Sequence, residues 1–312
     1  MCCGDSLYII YKAPKLNNFG TTGLEYIYID PKGKKTYKDH NKLIDNPNGV
    51  LANTLKPLFT TSMVRIMILH FRTLYNHRPI VVCLSVDVSG LVMMDKTTTG
   101  VWLLHSTPRF PFTRNNNFYP SSGAKNAQTF ICVTFKYNEF KKIGQHLLNI
   151  AAYPFEGIIP TDFHTELQEA ANKSWNNRTP GERIQDLSSA GGASFRSIAK
   201  KLYKEGDLYV AIAKTYSTDV KVQTWPCSQD GSYCENPQVI NIKSVKTDLG
   251  NGEVKWTAGN DHSKWCVSTD NSKNMNLDLI CIADVNRAVS QYERPGGALC
   301  FKHKEAMTVN GM

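Results

Sequence analysis

The 312 residues are 41% hydrophobic, enough for a sizeable buried core in two domains or one large one, which excludes a disordered chain. Lys and Arg outnumber Asp and Glu by 36 to 27, a net charge of +9 to which eight histidines add in acid, so a polyanionic partner is favoured. The longest apolar stretch, around Pro79 to Met94, is interrupted by Ser85, Asp87 and Ser89, which excludes a membrane-spanning helix.

In chain order, alternating and β-branched residues predict short strands at Ser6–Lys12, Leu24–Ile29, Val64–Phe71, Ile80–Val86, Gly90–Met94, Val101–His105 and Thr129–Phe135. A helix is predicted over Asn138–Ala152, where Phe140, Ile143, Leu147 and Ala151 recur at helical spacing and Asn138 can cap the start. A second is predicted over Asp162–Asn172. The polar, Gly- and Pro-containing run from Asn172 to Gly192 reads as a surface connection between an N-terminal half, residues 1–171, and a C-terminal half, residues 193–312. Beyond it, strands at Ala193–Leu202 and Val220–Trp225 flank a helix at Asp207–Tyr216, with Asp207 as N-cap. Later strands fall at Gln238–Ile242, Val254–Thr257, Ser263–Ser268, Leu279–Val285 and Ala298–Lys302. Mixed strands and helices in both halves predict an α/β or α+β architecture of two similar units.

Nine cysteines, at 2, 3, 83, 132, 227, 234, 266, 281 and 300, lack the paired CxxC spacing of a zinc site, so disulfides in an oxidising compartment are expected and no metal or other cofactor. The odd count leaves one thiol free or bonded to another molecule. Two glycosylation triplets, Asn172-Lys173-Ser174 and Asn177-Arg178-Thr179, fit the same secretory route. No signal peptide precedes Cys2, so an exported product is expected to have lost its leader.

The pattern closest to chemistry is Asp261-His262-Ser263-Lys264-Trp265-Cys266. In an extended segment His262 and Lys264 share one face roughly 7 Å apart, a span that suits one phosphodiester. The imidazole can attack phosphorus or pass a proton, and the ammonium can hold an anionic oxygen as a point charge. Spacing alone also fits a polar loop before a disulfide cysteine.

Further strings accompany it: Cys2-Cys3-Gly4-Asp5, Tyr11-Lys12-Ala13-Pro14-Lys15, Trp102-Leu103-Leu104-His105-Ser106 with Pro108 and Phe110-Pro111, Asp284-Val285-Asn286-Arg287, and Pro295-Gly296-Gly297-Ala298-Leu299-Cys300. With these the chain resembles the deoxyribonuclease II family over almost its full length. The resemblance implies a phospholipase D-like fold, two mixed sheet-and-helix halves packed as a pseudo-dimer, each giving an HxK element to one site. It also implies metal-independent endonucleolytic cleavage of double-stranded DNA through its phosphate backbone in acid, leaving 3′-phosphate ends, by a secreted or lysosomal enzyme. His262 and Lys264 fall on the family's C-terminal HxK, and Asp284 and Asn286 on positions that would orient the site. The implied disulfides are Cys266 with Cys281, Cys234 with Cys300, and Cys132 with Cys2 or Cys3; Cys83 and Cys227 have no obvious partner.

The first half departs from the pattern. Aligning Gly90–Asp95 with the family's apolar strand puts Asp87-Val88-Ser89 where His-x-Lys belongs, so an imidazole and a cation are both replaced. His105 matches the histidine of the WLxHS string and is the candidate second imidazole, although on its strand it also reads as a structural histidine beside Val101 and Leu103. Two outcomes follow: an acid endonuclease with a weakened site, or an inactive exported module that binds DNA or a protein partner.

Overall fold

The structure is a computed structural model and describes residues 7–38, 42–59, 67–72, 89–94, 99–113, 115–154, 159, 161–174, 181–200, 206–250, 252–269 and 277–310. The elements of the first part are β1 (Leu7–Lys12), β2 (Lys15–Leu16), β3 (Thr21–Thr22), β4 (Tyr26–Asp30), β5 (Gly33–Tyr37), α1 (Val50–Phe59), β6 (Met67–Arg72), β7 (Ser89–Met94), β8 (Thr99–His105), β9 (Gln128–Lys136), α2 (Glu139–Asn149), β10 (Tyr153–Pro154) and α3 (Thr165–Ala171). There follow β11 (Ile184–Ser188), β12 (Ser194–Lys200), α4 (Leu208–Tyr216), β13 (Val220–Gln223), β14 (Val239–Asn241), β15 (Ser244–Asp248), β16 (Glu253–Thr257), β17 (Trp265–Ser268), β18 (Leu279–Ala283), α5 (Val289–Tyr292), β19 (Gly296–Lys302) and α6 (Lys304–Asn310).

Mixed sheets and a few helices make this an α+β chain. Among the described residues the larger sheet runs β10-β6-β7-β8-β9-β1-β4-β5, and the second runs β11-β12-β19-β18-β17-β13-β14. Five strands of each follow the same antiparallel order, β1-β9-β8-β7-β6 in one and β12-β19-β18-β17-β13 in the other. The registers match as well. Ser89, His105, Phe130 and Ile10 share one rung of the first sheet. In the second, Lys264, whose carbonyl accepts from the Ala283 amide, shares a rung with Ala283, Ala298 and Ile198.

One apolar core spans both sheets. Ile9, Tyr11, Trp102, Ile131 and Phe135 of the first meet Phe195, Val267, Ile280, Leu299 and Phe301 of the second, with Phe140, Ile143 and Leu147 of α2 in the same layer. The outer face of the first sheet is covered by α1 through Leu51, Ala52, Leu55 and Leu58, a helical stripe. The outer face of the second is covered by α4 through Leu208, Tyr209, Ile212 and Ala213. Fully burying one such side chain contributes about 1.5–3 kcal/mol, so these stripes hold the helices down.

Several sequence expectations are corrected. Asn138 lies in helical backbone and makes no side-chain cap, whereas Asp207 caps α4 by accepting from the Tyr209 amide at 2.8 Å. The expected connection at 172–192 contains β11, which joins the second sheet because Ile184–Ser188 pairs along β12. Strand β17 begins at Trp265 and β18 ends at Ala283, so His262, Lys264, Asp284 and Asn286 sit on strand lead-ins and exits rather than within strands. The strand expected at Ile80–Val86 lies outside the described residues, as do Asp87, Cys2, Cys3, Cys83 and Asn177.

The disulfide pairing also differs. Cys281 is bonded to Cys300, and among the described residues Cys266 is a buried free thiol and Cys234 an exposed one. Cys281 stands opposite Cys266 on β17 and opposite Cys300 on β19, so the register offers it two neighbours and chain spacing cannot choose between them. Burial pushes the Cys266 thiol far above its ordinary range and keeps it unreactive. Cys132 and Cys227 are disulfide-bonded.

Candidate active site

The HxK segment is held by a buried carboxylate. Asp261 accepts from the Ser263 amide at 2.8 Å, the Ser263 hydroxyl, the Trp256 indole at 3.0 Å and the Tyr11 hydroxyl. Ser263 Oγ in turn accepts from the Trp265 indole at 3.0 Å, and the Gln223 amide donates to the Asp261 carbonyl at 3.2 Å. Tyr11 comes from β1 and Asp261 pairs with Ala127 just before β9, so the first sheet holds the second sheet's motif. The His262 amide completes this joint, donating to the Ala127 carbonyl at 3.0 Å. A buried carboxylate with this many donors fixes backbone geometry because each unmade bond would cost its full desolvation penalty.

His262 is 9% exposed, and its ring centroid lies 4.7 Å from that of Trp225. Burial, then Lys264, Lys125 and Lys12, push its pKa down to about 3. The imidazole is therefore neutral throughout the mildly acid range, the protonation state a nucleophile needs. Lys264 is buried and donates to the His262 carbonyl at 3.1 Å.

Asp284 follows β18, and burial raises its carboxyl to about 6 against the opposing pull of the Gly297 amide, Arg294, Lys200 and Lys264. Its Oδ1 accepts from the Gly297 amide at 2.7 Å while its own amide donates to the Gly297 carbonyl at 3.1 Å. The two glycines that open β19 are sterically required. A Cβ on Gly296 would stand 2.7 Å from Asp284 Oδ1, and one on Gly297 2.6 Å from the ring of His146 on α2. Asn286 presents Oδ1 to the Trp225 amide at 3.2 Å, and its own amide donates to Gln291 Oε1 at 2.7 Å.

The matching rungs of the first sheet carry different groups. Ser106 repeats the Asp284 bonds: its amide donates to the Thr129 carbonyl at 3.0 Å and its Oγ accepts from the Thr129 amide at 2.9 Å. Lys12 and Lys200 pair with Gln128 and Gly296 on the next rung, and each buries its ammonium among three carbonyls. These are Ala13, Gly23 and Ala124 for Lys12, and Gly206, Gln291 and Tyr292 for Lys200. Burial lowers Lys12 to about 7 despite Asp261 and Glu25 nearby. Ser89 occupies the rung position that Lys264 holds in the second sheet.

Of the residues singled out from sequence, His262, Lys264, Asp284 and Asn286 gather at this end of the second sheet. His105 is only 2% exposed, and the rings around it are Phe110 at 4.9 Å and Phe130 at 5.7 Å, those of the first sheet's own aromatic cluster. Sequence reasoning assigned no role to Tyr11, Lys12, Trp225, Lys200 or Asp261. Tyr11, Lys12 and Asp261 lay inside quoted strings, but their role depends on contacts between distant parts of the chain.

Comparison with known proteins adds to this geometry. The deoxyribonuclease II family profile matches residues 6–309. Human deoxyribonuclease-2-beta is 30% identical over 315 residues, covering 95% of this chain and 83% of the relative. Deoxyribonuclease-2 of Caenorhabditis elegans is 28% identical over 94% of this chain and 86% of its own. Plancitoxin-1 of Acanthaster planci is 32% identical over 69% of this chain and 60% of the toxin.

Proposed function

From the premise that the chain belongs to the deoxyribonuclease II family, we propose that it engages the DNA phosphate backbone at His262 and Lys264 and hydrolyses it slowly in acid, without a metal. The observation that carries this reading is the Asp261 hub, which holds an imidazole and an ammonium two residues apart in a rigid segment. Neutral His262 attacks phosphorus and Lys264 neutralises a non-bridging oxygen. His105 is assigned the proton to the leaving 5′ oxygen as the P–O5′ bond breaks, and then the activation of the water that cleaves the His262–phosphorus bond, releasing the 3′-phosphate and restoring the imidazole. The enclosure of His105 between Phe110 and Phe130 is one reason the reaction is slow. The other is that Asp87 and Ser89 stand where a second imidazole and ammonium would serve.

Acid favours this chemistry for a reason carried by Asp284. Its carboxyl is raised to about 6, so below that pH the site sheds a negative charge that acts on Lys264, while His262 stays neutral down to about 3. DNA retention and nicking are expected to rise as pH falls through about 6. The repeated strand order supports a phospholipase D-like pairing of two halves, 1–171 and 193–312. The disulfide and the family point to a secreted or lysosomal location, and no helix among the described residues is long and apolar enough to cross a membrane.

The second reading, a DNA-binding protein that has lost hydrolysis, is favoured by Ser89 in register with Lys264. Supercoiled plasmid incubated with chelator near pH 5 and pH 7, beside a His262→Ala control, separates the two. Acid nicking that the control abolishes overturns the second reading. Salt-sensitive retention without nicking overturns the first, and no retention at all overturns both.

A further inference from the structure

Beside His262 lies an aromatic side chain that the chemistry above does not use. Trp225 is half-buried, its ring centroid 4.7 Å from that of His262 with the planes inclined at 58°, so it does not lie flat on the imidazole. The short segment carrying it is pinned on both sides. Thr224, fully buried, offers Oγ1 to the Arg287 amide at 3.3 Å and to the Gln229 side chain at 3.0 Å. The Trp225 amide donates to Asn286 Oδ1, Gln229 N donates to the Pro226 carbonyl at 3.1 Å, and Cys227 is disulfide-bonded. Gln229 further bridges to Ala288 in the strand exit that carries Asp284 and Asn286. An indole fixed in this way is part of the site's framework.

Shielding His262 alone would be served as well by an aliphatic side chain, and would not require a ring left part-exposed. A phosphodiester at His262 and Lys264 carries a nucleoside on each side, and a flat aromatic within one ring's breadth of the imidazole matches the face of a base. We infer that Trp225 is a stacking platform for the nucleobase of a nucleotide flanking the phosphodiester held at His262 and Lys264, an inference that rests on the DNA-binding reading above. Stacking a base on an aromatic residue contributes about 1–3 kcal/mol and tolerates any base. That gain offsets part of the cost of unstacking a nucleotide from the duplex. Trp225 is thus a binding residue that favours nucleotides whose base has left the helix.

The test is a binding cycle at neutral pH with two single strands of equal length, an oligothymidylate and the same backbone built of abasic tetrahydrofuran units, against the disulfide-intact protein. Trp225→Ala is expected to weaken the oligothymidylate about tenfold and the abasic strand by less than twofold, with Trp225→Phe between Trp225→Ala and the parent protein. Equal weakening of both strands, or of neither, overturns the platform while leaving the DNA-binding reading intact. Failure of the parent protein to bind either strand overturns both.

Discussion

Rung by rung, the ends of the two large sheets are alike in what holds the backbone and unlike at the rung that carries Lys264. Lys12 and Lys200 bury equivalent ammonium groups under carbonyls, and Ser106 and Asp284 make the same pair of bonds to the neighbouring strand. At the next position the second sheet presents Lys264 and the first Ser89, and Asp284 brings a carboxyl where Ser106 brings a hydroxyl. The paired lysines and the bonds of Ser106 and Asp284 are constrained by buried polar groups that must be satisfied.

The largest expected effect comes from making the two ends alike. The double substitution Asp87→His with Ser89→Lys is expected to raise acid nicking by about 10²–10⁴-fold, the range of a recovered acid–base partner, measured on supercoiled plasmid near pH 5. A folded double variant with unchanged nicking would mean that the difference between the rungs does not limit the rate. The joint between the sheets comes next. Asp261→Ala leaves the Tyr11, Trp256 and Ser263 donors without their acceptor and is expected to cost about 3 kcal/mol, read from urea unfolding.

The paired lysines sharpen the comparison further. Lys12→Met and Lys200→Met should each cost about 2 kcal/mol, because each strips the ammonium from three buried carbonyls. Their electrostatic signatures should differ. Losing Lys12 removes a cation that holds His262 down, so His262 titrates higher. Losing Lys200 removes a cation that holds Asp284 down, so Asp284 titrates higher. Site-resolved NMR titrations that failed to separate the two variants would break the pairing of Lys12 with His262 and of Lys200 with Asp284.

The smallest effect concerns His146, which reaches from α2 of the first part to Gly297 of the second and stands edge-on to Trp102 at 5.3 Å. Burial lowers it to about 4, and its Nδ1 has no hydrogen-bond partner among the described residues. A depressed histidine contributes stability that is complete above its ordinary pKa of about 6.5 and is lost as pH falls through about 4. His146→Gln is expected to flatten thermal stability between pH 6.5 and 5 by about 1–2 kcal/mol. His262, lowered to about 3, continues the loss at lower pH, while Asp284, raised to about 6, acts in the opposite sense and favours the folded state as pH falls.

How much of this was legible in sequence depended on the range of the interaction. The α2 stripe of Phe140, Ile143 and Leu147, the Asp207 cap and the HxK string are local patterns and were readable. Strand β5, Gly-Lys-Lys-Thr-Tyr, carries too little apolar character to announce an edge strand, and α1 hides behind Pro57 in its interior. The disulfide was misread because three cysteines share one row across β17, β18 and β19, a proximity that only the register exposes. Tyr11 and Asp261 could not be joined from sequence at all, since their bond closes 250 residues of chain.

That bond makes the anchoring of the HxK segment a property of the joint between the sheets. Tyr11 and Ala127 come from the first sheet and its lead-in, and Asp261 and His262 from the approach to the second. Neither sheet alone supplies the full frame, so parting them would free His262 and Lys264 before either sheet itself unravelled.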